Sequence, residues 1–234
     1  MIHLWIMYNF VYIIYTKLDW WDSLNKYIIF DVDGTILDTE QAVLKSLQNV
    51  LEEENIYYEL KDLKFALGIP GKETLKKIGI TDIERVHHKW SKKVLDYSNE
   101  VVVFENLKEI IVRLDEMSIT TGIVTSKTKQ ELIDEFDPFE LGAYFKEVIC
   151  ADDTKKHKPN PEPLLLCLQK LNASNQEAVY IGDSIYDMQC ANSAGVKFAL
   201  AFWGAKKTDG FEAADYVLRK PEDIFNLITA DKNE

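Results

Sequence analysis

Six apolar runs of strand length recur along the chain, and amphipathic helical stretches separate most of them. The runs are Tyr27–Phe30, Thr120–Val124, Glu147–Cys150, Val179–Ile181, Val196–Ala201 and Tyr216–Leu218. Between them lie Leu107–Met117, Lys129–Phe136, Glu162–Leu171 and Met188–Ala194. In the first of these helices Ile110, Ile111, Leu114 and Met117 fall at i, i+1, i+4 and i+7, a single core-facing stripe. Parallel neighbours need long crossovers, which helices supply, so this alternation predicts βαβ units and a mostly parallel sheet buried on both faces. The rhythm breaks once. From Thr39 to about Asn99 only helical patterns occur, among them Ala42–Glu54 and Ile83–Tyr97, which predicts a helical insertion after the first strand.

The remaining sequence sets outer bounds. At 234 residues the chain has room for one large domain or a core with a modest insertion. Its aromatic N-terminal run, Met1–Tyr15, is interrupted by His3 and Asn9 and followed by Lys17 and Asp19. That is shorter than the roughly 20 apolar residues of a membrane span. It also lacks the basic start and small-residue cleavage site of a secretory signal. Met1–Tyr15 is therefore expected to be a packed extension, or to precede the natural start codon, rather than a membrane anchor, and residues 1–26 form an N-terminal extension of unknown role. A formal net charge of −12 repels phosphate backbones and anionic lipid, which excludes nucleic acid and membrane surfaces as partners. A local site can still hold an anion where helix ends, lysines or a metal ion supply positive potential. Cys150, Cys167 and Cys190 show no CxxC spacing and leave an odd thiol, as expected of reduced core residues in a cytoplasmic protein.

The chemistry collects at the strand ends, where ligands of an open parallel sheet bind. Asp31-Val32-Asp33-Gly34-Thr35 follows the first strand, and Thr125, Ser126 and Lys127 follow the second. Lys156-His157-Lys158-Pro159-Asn160-Pro161 lies beyond the third; Gly182-Asp183-Ser184 follows the fourth, with Asp187 four residues past Asp183. Asp31 and Asp33 can both face a pocket once the strand stops alternating, and Gly34 lets the backbone approach a ligand. With Asp183 added, three carboxylates share one cleft, each pair near 4 Å repelling by roughly 4 kcal/mol at an effective dielectric of about 20. A hard divalent cation such as Mg²⁺, bound by carboxylates and phosphate oxygens, relieves that repulsion. Thr125 or Ser126, together with Lys158, suits the remaining phosphate oxygens. These parts add up to phosphoryl transfer with an aspartate as nucleophile.

Taken singly, each fragment is ordinary: a turn, a helix cap, a solvated lysine. Their order after successive strands carries the argument. A calcium loop counted from Asp31 needs Glu at its twelfth position and finds Ala42. Gly68-Ile69-Pro70-Gly71-Lys72 lacks the spacing of a phosphate loop and no strand precedes it. His87, His88 and His157 have no zinc spacing. Trp20, Trp21 and Trp90 are expected to pack, and Glu52–Glu54 to be a solvated helix end.

In this order Asp31-Val-Asp-Gly-Thr35, Thr125-Ser126, Lys158 and Gly182-Asp183-x-x-x-Asp187 resemble the four motifs of the haloacid dehalogenase-like hydrolases, over about Tyr27 to Leu218. The helices between the first two motifs resemble the small cap of the phosphoglycolate phosphatase-like branch. The resemblance implies an α/β protein: a Rossmann-like parallel core from residues 27–38 and 100–234, and a mobile helical cap from 39–99. It implies that Asp31 attacks phosphorus to form an aspartyl phosphate, while Asp33 protonates the leaving alcohol and later activates water. Mg²⁺ is implied at the carboxylates of Asp31 and Asp183 and the backbone carbonyl of Asp33, with Asp187 holding its water shell or orienting Lys158. Thr125, better than Ser126, fits the hydroxyl that holds the phosphoryl group. Asp33 favours a phosphatase over a dehalogenase, and Thr35 stands where β-phosphoglucomutase-like members carry Val. Lys72 sits where the cap loop of family members reaches the substrate. The expected substrate is a small phosphorylated metabolite, phosphoglycolate being the name the resemblance offers. Pyrophosphate, a nucleoside monophosphate or a sugar phosphate stay open, as does a monomer or a homodimer. A catalytically silent binding protein is the contrasting class, and an idle carboxylate cluster, which would only cost stability, speaks against it.

Overall fold

A computed structural model of the chain describes residues 25–205 and 208–228. The expectations for residues 1–24, Trp20 and Trp21 included, lie outside the described residues. In chain order the elements are β1 (Tyr27–Phe30), β2 (Leu37–Asp38), α1 (Glu40–Glu53), a 3-10 segment (Leu60–Ala66), α2 (Gly71–Ile78), α3 (Ile83–Leu95) and β3 (Val102–Val103). They continue as α4 (Leu107–Glu116), β4 (Thr120–Val124), α5 (Lys129–Glu135), β5 (Glu147–Ile149), α6 (Glu162–Leu171), β6 (Ala178–Gly182), α7 (Ile185–Ala194), β7 (Lys197–Ala201), α8 (Phe202–Ala205) and β8 (Tyr216–Leu218).

Every pairing in the main sheet is parallel, and its strand order is β5-β4-β1-β6-β7-β8. β1 holds the centre because Ile28, Ile29 and Phe30 are all fully buried, as only a strand covered on both faces allows. Its side chains alternate. Ile28 and Phe30 enter one core with Leu107, Ile111 and Leu114 of α4; Ile29 enters the other with Leu164 and Leu168 of α6 and Ala191 of α7. Removing each such side chain from water contributes roughly 1.5–3 kcal/mol.

A third apolar cluster lies away from the sheet. Leu44, Leu47 and Leu51 of α1, spaced i, i+3 and i+7, meet Val86, Trp90 and Val94 of α3, spaced i, i+4 and i+8, so two helical stripes seal each other. The Trp90 indole N–H donates to Ser46 Oγ at 3.0 Å inside this cluster. No strand interrupts residues 39–99, as the sequence pattern predicts. The chain enters and leaves this helical part through β2 and β3, which pair antiparallel, Leu37 opposite Val103 and Asp38 opposite Val102. Two-residue strands carry no periodicity, so the sequence gives no sign of this ribbon. α7 starts at Ile185, ahead of the expected Met188, because Ser184 and Asp187 cap it reciprocally. Among the described residues no helix is long and apolar enough to cross a membrane.

Truncating Ile28 to Ala in the central strand is expected to cost about 2–5 kcal/mol of stability. Urea denaturation followed by circular dichroism reads that loss.

Candidate active site

Asp31 prolongs β1 by one residue, its amide donating to the Ile181 carbonyl of β6 at 2.9 Å. Phe30 lies beside Ile123 of β4 and Ile181 of β6, so the carboxyl ends of three adjacent strands finish at one edge. The chain then turns sharply: the Gly34 amide donates to the Leu37 carbonyl at 2.7 Å, and the Ile36 amide to the Val32 carbonyl at 2.8 Å. Gly34 is required here twice over. Its φ is +74°, and a Cβ on it would stand 2.1 Å from Asp183 Oδ2.

Lys158, from the loop after β5, is 2% exposed, and its ammonium has four acceptors within 3.5 Å, the Val124 carbonyl being the most distant. It donates to Asp31 Oδ1 at 2.7 Å, to Asp187 Oδ1 at 2.7 Å and to the Tyr180 hydroxyl at 3.1 Å. Burial alone would favour the neutral amine, but the Asp187 and Asp31 carboxylates hold it protonated well above the usual lysine range. Asp187 is fully buried, and its second oxygen accepts from the Ser184 amide at 3.1 Å and hydroxyl at 2.5 Å. Tyr180 lies 2.9 Å from Asp187 Oδ1 and from the Val124 carbonyl, two acceptors for its one proton. Burial pushes the Asp31 carboxyl up to about 7 in spite of Lys158. Burial, reinforced by the Asp187 and Asp31 charges, lifts Asp183 well above the carboxylate range. Oxygens of Asp31, Asp183 and Asp187 lie within 4.8 Å of one another. Three carboxylates thus face one lysine.

A second buried lysine stands beside the first group. Lys127 Nζ is 3.0 Å from Asp33 Oδ1 and 2.8 Å from Glu135 Oε2, with only 8% of the lysine side chain exposed. Its proton affinity, lowered by burial, is raised above normal by those two carboxylates. α5 is fixed by a capping box in which the Thr128 hydroxyl and the Glu131 carboxylate bond each other's amides. Glu131 also accepts from Ser91 Oγ of α3 at 2.7 Å and lies 3.4 Å from His87 Nε2, tying the insertion to the core.

Asp31, Asp33, Ser126 and Lys127 line one face of a cleft; Val43, Ala66, Ile69, Trp90 and Val94 from the insertion line the other. The Ser126 hydroxyl donates to the Gly68 carbonyl at 3.3 Å across it. Thr125 is 3% exposed at the end of β4, its Oγ1 accepting from the Lys127 amide at 3.2 Å, and is not among the cleft-lining residues. Lys72 is not among them either. It sits in the first turn of α2, half exposed, with its ammonium 2.7 Å from both oxygens of Glu84. The structure therefore gathers Asp31, Asp33, Gly34, Asp183, Asp187 and Lys158, seats Ser126 in the cleft, and leaves Lys72 on the surface.

Tyr180, Lys127, Glu131 and Glu135 belong to this site and are missing from the sequence-based set. Signals for them existed. A tyrosine inside an apolar strand must find a partner for its hydroxyl. Lys127, Glu131 and Glu135 recur every four residues, the spacing of one helix face. Thr128-x-x-Glu131 and Ser184-x-x-Asp187 are capping boxes readable from sequence.

Comparison with known proteins places the chain. Residues 28–201 match the family described as haloacid dehalogenase-like hydrolase, and the chain belongs to it. A protein of Caldanaerobacter subterraneus provisionally named pyrophosphatase PpaX is 32% identical, with 86% of this chain and 92% of the relative aligned. Pyrophosphatase PpaX of Bacillus velezensis is 30% identical, over 86% and 94%. Among solved structures, one from Lactobacillus plantarum provisionally described as a phosphoglycolate phosphatase superposes with a TM-score of 0.81 at 26% identity, covering 87% of this chain and 99% of that one. CbbY of Rhodobacter sphaeroides, solved with phosphate, shares the fold at a TM-score of 0.76 and 17% identity, over 88% and 99%.

Asp31 holds a proton up to about 7 when folded, against an ordinary 3.8, so the metal-free protein loses stability as pH rises between those values. The stability of Asp31→Asn relative to wild type is therefore expected to rise with pH in the metal-free protein, between about pH 4 and about pH 7, by roughly 4 kcal/mol at most. Chemical denaturation of both proteins in EDTA across that range measures it. Lys72→Ala, which removes only the surface pair with Glu84, is expected to leave kcat/KM for phosphate release within about twofold of wild type.

Proposed function

We propose that this haloacid dehalogenase-like hydrolase is a Mg²⁺-dependent phosphatase that cleaves a small phosphorylated metabolite through an aspartyl phosphate on Asp31. The observation that carries this reading is the buried group around Lys158, where one ammonium bridges Asp31 and Asp187 beside Asp183. Its donors suit Mg²⁺: all are hard oxygens, and their negative charge exceeds what Lys158 can offset. Asp31, Asp183 and the backbone carbonyl of Asp33 would hold the ion. Both oxygens of Asp187 are already taken by Lys158, Tyr180 and Ser184, which assigns Asp187 to orienting the lysine. Bound there, Mg²⁺ would neutralise charge on the phosphoryl oxygens.

The residues then divide the reaction. The Asp31 oxygen not engaged by Lys158 attacks phosphorus, and the bond from phosphorus to the leaving oxygen breaks. Asp33 gives that oxygen a proton, then takes one from the water that attacks the aspartyl phosphate, so phosphate departs and Asp31 is regenerated. Lys158 and the hydroxyl of Thr125 or Ser126 hold phosphoryl oxygens as charge shifts. Helices α1 to α3 cover the cleft and limit water. The relatives' name adds pyrophosphate as a second substrate reading, in which the leaving group is itself a phosphate.

Phosphate release from a panel of phosphoglycolate, pyrophosphate, nucleoside monophosphates, hexose phosphates and an aryl phosphate tests the reading. Activity is expected to vanish in EDTA, return with Mg²⁺ and be inhibited by Ca²⁺. Asp31→Asn is expected to be inactive, and Asp33→Asn to lose about 10²–10⁴-fold in kcat. Turnover indifferent to chelation, or intact in Asp31→Asn, would overturn it.

A further inference from the structure

The leaving-group side of the cleft has its own charge balance. Beyond Asp31 it is lined by Asp33, Glu131 and Glu135 against a single lysine, Lys127. That lysine is already shared between Asp33 and Glu135, at 3.0 and 2.8 Å. His87 adds no reliable cation, because burial lowers its proton affinity despite the nearby Glu131. Glu131 stays ionised: burial opposes its charge, but the Thr128 amide and the Ser91 hydroxyl hold its carboxyl below the usual range. Lys72, the cation that sequence places near the cap loop, is bound to Glu84 outside the cleft.

The opposite wall is apolar. Val43, Ala66, Ile69 and Val94 bring apolar side chains, and Trp90 joins them with its one polar side-chain atom already bonded to Ser46. An anionic leaving group here would meet like charges with no free cation, whereas an alkyl body would cover carbon. The hydroxyls of Ser91 and Ser126 already donate to Glu131 and to the Gly68 carbonyl, which leaves them as acceptors for a substrate hydroxyl.

We infer that this cleft takes a phosphate monoester whose leaving group is an uncharged, partly apolar alcohol, and discriminates against a second phosphate or a carboxylate at that position. The inference rests on the phosphatase reading above and separates this chain from its pyrophosphatase-named relatives.

Isobutyl phosphate and 2-phosphoglycolate have nearly the same shape and differ by the carboxylate charge, which makes them the probe pair, with pyrophosphate as a third ligand. In the wild-type enzyme with Mg²⁺, kcat/KM for isobutyl phosphate is expected to exceed that for either anionic substrate by at least about tenfold. Titration calorimetry of the three ligands into the Mg²⁺-loaded Asp31→Asn protein is expected to give the same order in affinity. Parity, or preference for an anionic ligand in either measurement, overturns the inference, and so does failure of all three to bind. If none is turned over by wild type while the variant keeps the neutral-over-anionic order, the inference stands and the hydrolytic reading falls.

Discussion

The buried ammonium of Lys158 is the interaction on which the rest of the site depends. It joins the loop after β5 to the end of β1, the middle of β6 and the first turn of α7 through Asp31, Tyr180 and Asp187. A charge this deep is tolerated only when paired and hydrogen-bonded, as this one is to Asp31, Asp187 and Tyr180. Breaking such a group by removing one partner typically costs about 3–5 kcal/mol, because the remaining charges stay buried and uncompensated. The lysine is thus a structural tie as much as a chemical group. It also fixes a deficit, since one positive charge faces three carboxylates; the raised proton affinities of Asp31 and Asp183 express that excess, and a bound cation would relieve it.

Topology explains why these residues meet at all. β1 is central, β4 pairs on one side of it and β6 on the other, so the carboxyl ends of three neighbouring strands share an edge. Asp31 and Asp183 are separated by 152 positions yet stand at adjacent strand ends, the arrangement expected at a switch in strand order. Gly34 sets how close they come. With any side chain there, the β1 turn would push Asp183 away.

Most of this was legible in the sequence, and the boundary has a physical cause. The parallel sheet followed from period and alternation, and the pairing of Asp31, Asp183, Asp187 and Lys158 from their order after successive strands. What a one-dimensional reading loses is which charge answers which. Lys72 lies in a suggestive loop, but the start of α2 points its ammonium to Glu84, an exposed partner twelve residues on. Lys127 looks like a solvated lysine after a strand, until the capping box of α5 brings Glu135 over it. The β2–β3 ribbon escaped because two-residue strands have no pattern to detect, although both ends of the helical insertion pass through it.

The two buried lysines divide the cleft by function. Both are bridged by a pair of carboxylates, yet their surroundings differ. Lys158 sits among strand ends with Asp183 close by, so its group is short of positive charge and open to a metal ion and a phosphoryl group. Lys127 is buried in the loop between β4 and α5, and the carboxylates of Asp33 and Glu135 take up its charge. A phosphate has reason to enter the first environment and none to enter the second. Since Asp33 belongs to the second, the proton donor stands where the leaving oxygen must emerge, against a wall of valines, an isoleucine and a tryptophan. Binding energy from that wall is available only to a substrate with carbon to place on it, which couples the chemistry at Asp31 to the shape of the insertion helices.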